Sequence, residues 1–206
     1  MQDDTPTSTN HGADAPGRTP LFLPTRLPEV IEITPVIHRD ERGFFLESYN
    51  ARAYALRGID VAFVQANHSR SLRGTVRGIH AQRKRPQGKL IRVIEGEILD
   101  VAVDIRRGSP TFGEWVSARL SCRSLHQLWV PPGFAHGFAV LSETAQIEYK
   151  VTELWDPSDE IIIAWDDPRI GVEWEIDTPV LSQKDRGGKT LAALDALLPS
   201  YEAPRT

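Results

Sequence analysis

Cysteine is almost missing from this chain: Cys122 is the only one among 206 residues, so no disulfide can form within it. No stretch approaches the roughly 20 consecutive apolar residues that a helix needs to cross a bilayer. An excess of positive charge is also lacking. The 24 Lys and Arg stand against 28 Asp and Glu, a net charge of −4, which excludes a general attraction to nucleic acid or to an anionic membrane surface. An anionic ligand must therefore meet a local basic cluster. Neither a G-x-G-x-x-G between strand and helix nor a Walker A sequence occurs, so nothing points to a dinucleotide or P-loop site. No internal repeat is present, which argues against a solenoid or propeller. A lone thiol and no membrane span indicate a soluble protein of a reducing compartment, the cytoplasm.

What the chain does have is 40% hydrophobic residues, enough for one sizeable core and one domain. The first residues are polar and rich in Thr, Pro, Asp and Gly, with no apolar segment suited to a signal peptide. They read as a disordered tail over residues 1–25, followed by a single domain over 26–206. From there short apolar runs follow one another, among them VIEITPVIH, VAFVQANHS, KLIRVIEGEILDVAVDI, GFAVL and AQIEYKVTELW. They are rich in Val, Ile and aromatics and are separated by RGG, RRGSP, PPG and DPSD turn signals. That pattern predicts an all-β sandwich or barrel. Helical spacing occurs only near residues 51–56, ending at Gly58, and in TLAALDALL before Pro199, both peripheral. In GEILDVAVDI, from residue 96, imperfect alternation predicts one buried face and one partly polar face.

Several side chains are candidates for chemistry. His80 lies in RGIHAQ, and Lys89 follows after a Pro-Gln-Gly turn. If residues 77–82 end one strand and Lys89 begins the next, a hairpin brings base and cation together on adjacent strands. His80 is otherwise a hydrogen-bonded structural histidine. PPGFAHGF delivers His136 to the start of a strand as ligand, orienting partner or core residue. Alternation in QIEYK turns Ile147 and Tyr149 to the interior, where Tyr149 is either packed or a proton donor. Asp185, in LSQKD, either reaches back to a histidine or forms an exposed pair with Lys184. Arg39, Arg42, Arg70, Arg73, Arg77, Arg83, Lys84, Arg85 and Lys89 gather in the first half. They are either a solvated surface or, in part, a diphosphate site.

Taken in order, seven blocks carry a family resemblance: DERGFFLE from residue 40, FVQANHS from 63, RGIH from 77, DVAVDIR from 100, SPTFG from 109, PGFAHGF from 132 and LSQKD from 181. Together they resemble the dTDP-4-dehydrorhamnose 3,5-epimerases, sugar-nucleotide epimerases of the cupin superfamily. The resemblance implies a cupin jelly-roll barrel acting as a homodimer, without metal or organic cofactor, on a nucleotide-sugar substrate. It implies His80 as base, Asp185 as its orienting carboxylate, Tyr149 as acid and Lys89 as the cation for an enolate oxygen. Arg77, His136, Glu160 and Lys184 would line the sugar site. Arg42, Glu47, Gln65 and Asn67 would contact the nucleotide end, some of them across the dimer interface. The chain departs from the family in a stretch between His80 and Lys89 one residue shorter than in some relatives, and in Trp155, where tyrosine is common.

These groups suit inversion next to a ketone. The enolate oxygen needs a cation as charge develops, and a proton must leave one face of the carbon and return to the other, which calls for a base and an acid. Three rivals remain beside this reading. A metal-dependent cupin would carry a second histidine where Gln82 stands. A non-catalytic sugar-nucleotide-binding cupin would not need His80, Lys89, Tyr149 and Asp185. A single-site epimerase, acting at C3 or C5 alone, shares all of these residues.

Overall fold

The computed structural model describes residues 19–202, and the strands of its sheets pair antiparallel. Six strands form one sheet in the order β1 (Leu21–Pro24), β2 (Ile31–Thr34), β10 (Gln127–Val130), β7 (Lys89–Glu95), β12 (Thr144–Val151), β5 (Gln65–Leu72). Five form a second: β13 (Glu160–Ile162), β6 (Val76–Gln82), β11 (Phe134–Val140), β8 (Glu97–Asp104), β9 (Trp115–Ser121). A separate hairpin pairs β3 (Ile37–Asp40) with β4 (Gly43–Leu46). The two large sheets face each other as a jelly-roll barrel, the all-β architecture that the strand pattern predicts and the cupin barrel that the family resemblance implies.

Between the sheets, one end is filled by a core that includes Ile91, Val93, Ile98, Leu128, Val130, Phe138 and Ile147. Each such side chain, fully buried, contributes about 1.5–3 kcal/mol. A second core lies behind the five-stranded sheet, where Ile79, Val101 and Val103 meet Trp174, Leu191, Leu194 and Leu198. Of the two faces expected of GEILDVAVDI, the apolar one is Leu99, Val101 and Val103, and the partly polar one carries Asp100 and Asp104, which are buried. Strand β8 is covered on both faces, not half-solvated, because the C-terminal segment packs on its outer side. Its carboxylates are partnered instead: Asp104 accepts from Arg106, Ser109 and Thr111 at 2.5–3.0 Å.

Helix α1 (Ala51–Ala55) is capped by Asn50 and sends Tyr54 into a third cluster on the outer face of the six-stranded sheet. The second expected helix is α3 (Leu191–Leu194), continued by a 3-10 turn over Asp195–Leu197. Between them comes α2 (Gln183–Arg186), four residues too short to leave a periodic signal. Residues 21–24, assigned to the tail by composition, form β1 instead because they find partners along β2. Residues 1–18 lie outside the described residues.

The expected hairpin between β6 and β7 does not form. The two strands belong to different sheets, and the chain crosses the barrel mouth between them. On β6, the register against β11 slips: His80 pairs with His136 but Arg77 with Phe138, so three steps on β6 match two on β11. An extra residue of this kind is a β-bulge. Its consequence is that Arg77 and His80, which an unbroken strand would turn to opposite faces, both line the barrel interior.

Gly78 makes the bulge possible. Its φ is +133°, and a Cβ there would come within 2.6 Å of the Gly137 Cα and 3.1 Å of the His136 carbonyl oxygen. Backbone atoms cannot yield as a flexible side-chain tip would. Gly78→Ala is expected to destabilise the protein by about 2–5 kcal/mol, from unfavourable φ plus overpacking. Thermal unfolding should then shift downward by about 10 °C. An unchanged Tm would contradict this account of the bulge.

Candidate active site

The open end of the barrel holds a cavity of about 770 Å³, within the range of small-molecule sites. The two sheets contribute different chemistry to it. From the five-stranded sheet come Arg77, His80, His136 and Glu160, and from the six-stranded sheet Gln65, Asn67, Lys89 and Tyr149. Helix α2 adds Lys184 and Asp185 at one side.

His80 and Asp185, 105 residues apart in sequence, form the tightest contact in the cavity: Nε2 lies 2.5 Å from Oδ1. The carboxylate is almost fully buried, the imidazole about a quarter exposed. Burial opposes ionisation of Asp185, but hydrogen bonds from His80 and Ser182 outweigh it and hold the carboxyl below its usual range. An ionised carboxylate only accepts, so Nε2 is the donor, and in the neutral imidazole Nδ1 then carries the lone pair. That is the state required of a base.

Tyr149 stands on the opposite sheet. Its ring packs against the barrel core, and burial holds its hydroxyl above the ordinary tyrosine range, with Arg77 opposing and Glu160 reinforcing. At neutral pH the group is therefore protonated and able to donate.

Lys89 is the buried cation of the site. Its Nζ approaches the His80 carbonyl oxygen at 3.4 Å, so the lysine reaches the backbone of the histidine's strand across the barrel and not along a hairpin. Burial pushes its pKa down to about 8, with Asp100 and Glu160 pulling the other way. Asp100 in turn accepts from His136 Nε2 at 2.8 Å and is fully buried. Its second oxygen, Oδ2, has no hydrogen-bond partner among the described residues, which leaves it to act on Lys89 through space. At the rim, Lys184 is bidentate to Glu160 at 2.7 and 2.8 Å.

Gln65 and Asn67 are joined at 2.8 Å, and the Gln65 amide oxygen accepts from the Trp155 backbone at 3.1 Å. Arg77 donates from Nε to Ser71 at 3.0 Å. Gln82 spends its amide on the backbone of two loops, donating to Arg85 and Leu154 and accepting from Asp156. It thereby anchors the segment that carries Trp155 at the mouth. Among the described residues no three His, Cys, Asp or Glu are grouped to hold a metal ion.

Ten of the twelve candidate residues are thus brought together. Arg42 and Glu47 are not: they lie on and beside the β3–β4 hairpin, exposed, with Arg42 paired to Asp40. Gln82 and Ser182 were not among the candidates, and Asp100 was legible only as part of the partly polar face of β8. Asp100 sits at an inward position of β8, two residues from the inward Ala102, so the alternation of that strand carried the signal. Ser182 carried the local S-x-x-D signature of a helix N-cap, which α2 realises.

A family model described as dTDP-4-dehydrorhamnose 3,5-epimerase matches residues 24–193. The chain is 54% identical over 171 residues to the dTDP-4-dehydrorhamnose 3,5-epimerase of Pseudomonas aeruginosa, covering 82% of this chain and 94% of the relative. It resembles the crystal structure of a dTDP-6-deoxy-D-glucose-3,5-epimerase from Legionella pneumophila in complex with dTDP-4-keto-L-rhamnose. That likeness has a TM-score of 0.88 at 47% identity, over 90% of this chain and all of the other. A dTDP-4-dehydrorhamnose 3-epimerase of Streptomyces niveus is more distant, 39% identical over 182 residues, 86% of this chain and 88% of that protein.

Proposed function

Because the chain belongs to the dTDP-4-dehydrorhamnose 3,5-epimerase family, we propose that it inverts C3 and C5 of dTDP-4-dehydro-6-deoxy-D-glucose to give dTDP-4-dehydro-L-rhamnose. The observation that carries this reading is the opposition of His80, tied to Asp185 on one sheet side, and Tyr149 on the other, across one cavity. His80 removes a proton next to the C4 ketone, and Lys89 stabilises the enolate oxygen that results. Tyr149 returns a proton to the other face, and repetition at the second carbon completes the double inversion. Proton NMR of the product tests it: both H3 and H5 should report inverted centres. The 3-epimerase relative gives the alternative its form, inversion at C3 alone, which one inverted centre would establish.

The remaining assignments rest on where the side chains lie. Arg77, His136, Glu160 and Lys184 line the sugar end, and Gln65 and Asn67 the nucleotide end near Trp155. Exposed Arg42 and Glu47 contact the nucleotide of a second copy, in a homodimer to which the β3–β4 hairpin, with Phe44 and Phe45 largely exposed, contributes. Cys122 has no disulfide partner, in keeping with the cytoplasm.

Lys89 sets the alkaline behaviour. With its pKa near 8 in the free enzyme, the cation is present below that pH and lost above it. The plot of kcat/KM should therefore fall about tenfold per pH unit beyond its bend. In Lys89→Arg the guanidinium stays charged, so the same limb should move to higher pH whatever the absolute rate. A limb left at the same pH in that variant would remove Lys89 from the role.

A further inference from the structure

We infer that Ser182 is a positioning residue for the reaction, holding Asp185 by its second carboxylate oxygen so that the first is presented to His80. The inference rests on the epimerase reading above. Ser182 Oγ donates to Asp185 Oδ2 at 2.6 Å, while Oδ1 takes the hydrogen bond from His80 at 2.5 Å. The same Oγ accepts from the Asp185 backbone N–H at 3.1 Å, which makes Ser182 the N-cap of α2. One hydroxyl thus fixes both the backbone and the side chain of Asp185.

The surroundings show why such a device is needed. A four-residue helix has little stability of its own, because forming its first turn is unfavourable. The segment that bears it is fastened at both ends. Val76 donates to the Val180 carbonyl at 3.1 Å and Val180 to that of Gly74 at 2.8 Å; beyond the helix, Ala164 donates to the Lys189 carbonyl at 2.8 Å. These ties set the main chain beside β6, but none of them sets the rotation of the Asp185 carboxylate. Lys184, the neighbouring cation, is already engaged by Glu160 and gives no hydrogen bond to Asp185. Ser182 supplies that constraint. Its donated hydrogen bond also favours the ionised carboxylate, so the proton stays on His80 Nε2 and Nδ1 remains free. A hydrogen bond to a charged group is among the stronger neutral-to-ionic contacts, and misorienting a base is felt directly in the rate.

Three variants of the full chain separate this role from simple capping. Ser182→Thr keeps both the cap and the donor. Ser182→Asp keeps the cap, since aspartate is as good an N-cap as serine, but removes the donor and sets a second carboxylate against Asp185. Ser182→Ala loses both. Initial rates on dTDP-4-dehydro-6-deoxy-D-glucose should show kcat reduced about tenfold in Ser182→Ala, with KM nearly unchanged. Ser182→Thr should restore most of kcat, and Ser182→Asp, although it keeps the N-cap, should lose at least as much as Ser182→Ala. A second readout does not depend on turnover. The downfield N–H proton of His80 bonded to Asp185 should be visible by NMR in the unmodified protein and Ser182→Thr, and lost or shifted in the other two. Full kcat in Ser182→Asp, or a Ser182→Thr no better than Ser182→Ala, would overturn the inference. Should the unmodified protein turn over nothing, the epimerase reading fails, and an unchanged His80 signal in all three variants would still overturn the positioning role separately.

Discussion

Replacing His80 with alanine is expected to lower epimerisation by about 10²–10⁴-fold, the range for losing a positioned general base. The size follows from how little else in the cavity could take its place. His136 is committed to Asp100 through Nε2 and is nearly buried. Glu160 is held by Lys184, and Lys89 is a cation below about pH 8. Alanine also leaves the buried Asp185 carboxylate without its imidazole donor, at a cost of about 1–3 kcal/mol. His80→Gln, which restores an N–H but no base, separates the two effects. It should recover stability and not turnover. Steady-state rates beside thermal melts would check this, and a Gln variant with appreciable activity would show that His80 is not the base.

Tyr149→Phe should have a different signature. Removing one hydroxyl from a ring that packs against the core leaves stability within about 1 kcal/mol. Formation of inverted product should fall by about 10²–10³-fold, because the proton donor that β12 presents is then lost. Proton abstraction by His80 on the opposite side is untouched. The variant should therefore exchange substrate hydrogen with solvent while returning the proton to the face it left, giving exchange without inversion. Equal losses of exchange and inversion would mean that Tyr149 contributes to binding or to the base instead.

The two expectations come from residues whose relation was only partly legible in the chain. Period-two alternation was enough to turn Tyr149 inward, because β12 is an unbroken strand with Ala145 and Ile147 buried beside it. The same rule fails on β6, where a bulge at Gly78 brings Arg77 and His80 to one face. It fails too for the meeting of His80 with Lys89, which depends on β6 and β7 joining opposite sheets, a matter of topology and not of spacing. Asp185 is harder still. It lies in a four-residue helix too short for a periodic signal, 105 residues from its partner, and only the family resemblance connected the two. Asp100 and Ser182 show the remaining limit: β8 alternation turns one inward and an S-x-x-D signature marks the other as a helix cap, but that each acts through another side chain is marked by its three-dimensional neighbours alone. Arg42 and Glu47 lie outside the cavity of one chain, so their assignment depends on a second copy.

The most direct measurement is to incubate the unmodified protein with dTDP-4-dehydro-6-deoxy-D-glucose in deuterated water and follow deuterium at C3 and C5 by NMR. Abstraction on one face and reprotonation from solvent-exchanging groups on the other predict label at both carbons of the inverted product. Inversion without label at either carbon would contradict the proton-transfer mechanism, and the absence of both would contradict the epimerase account as a whole.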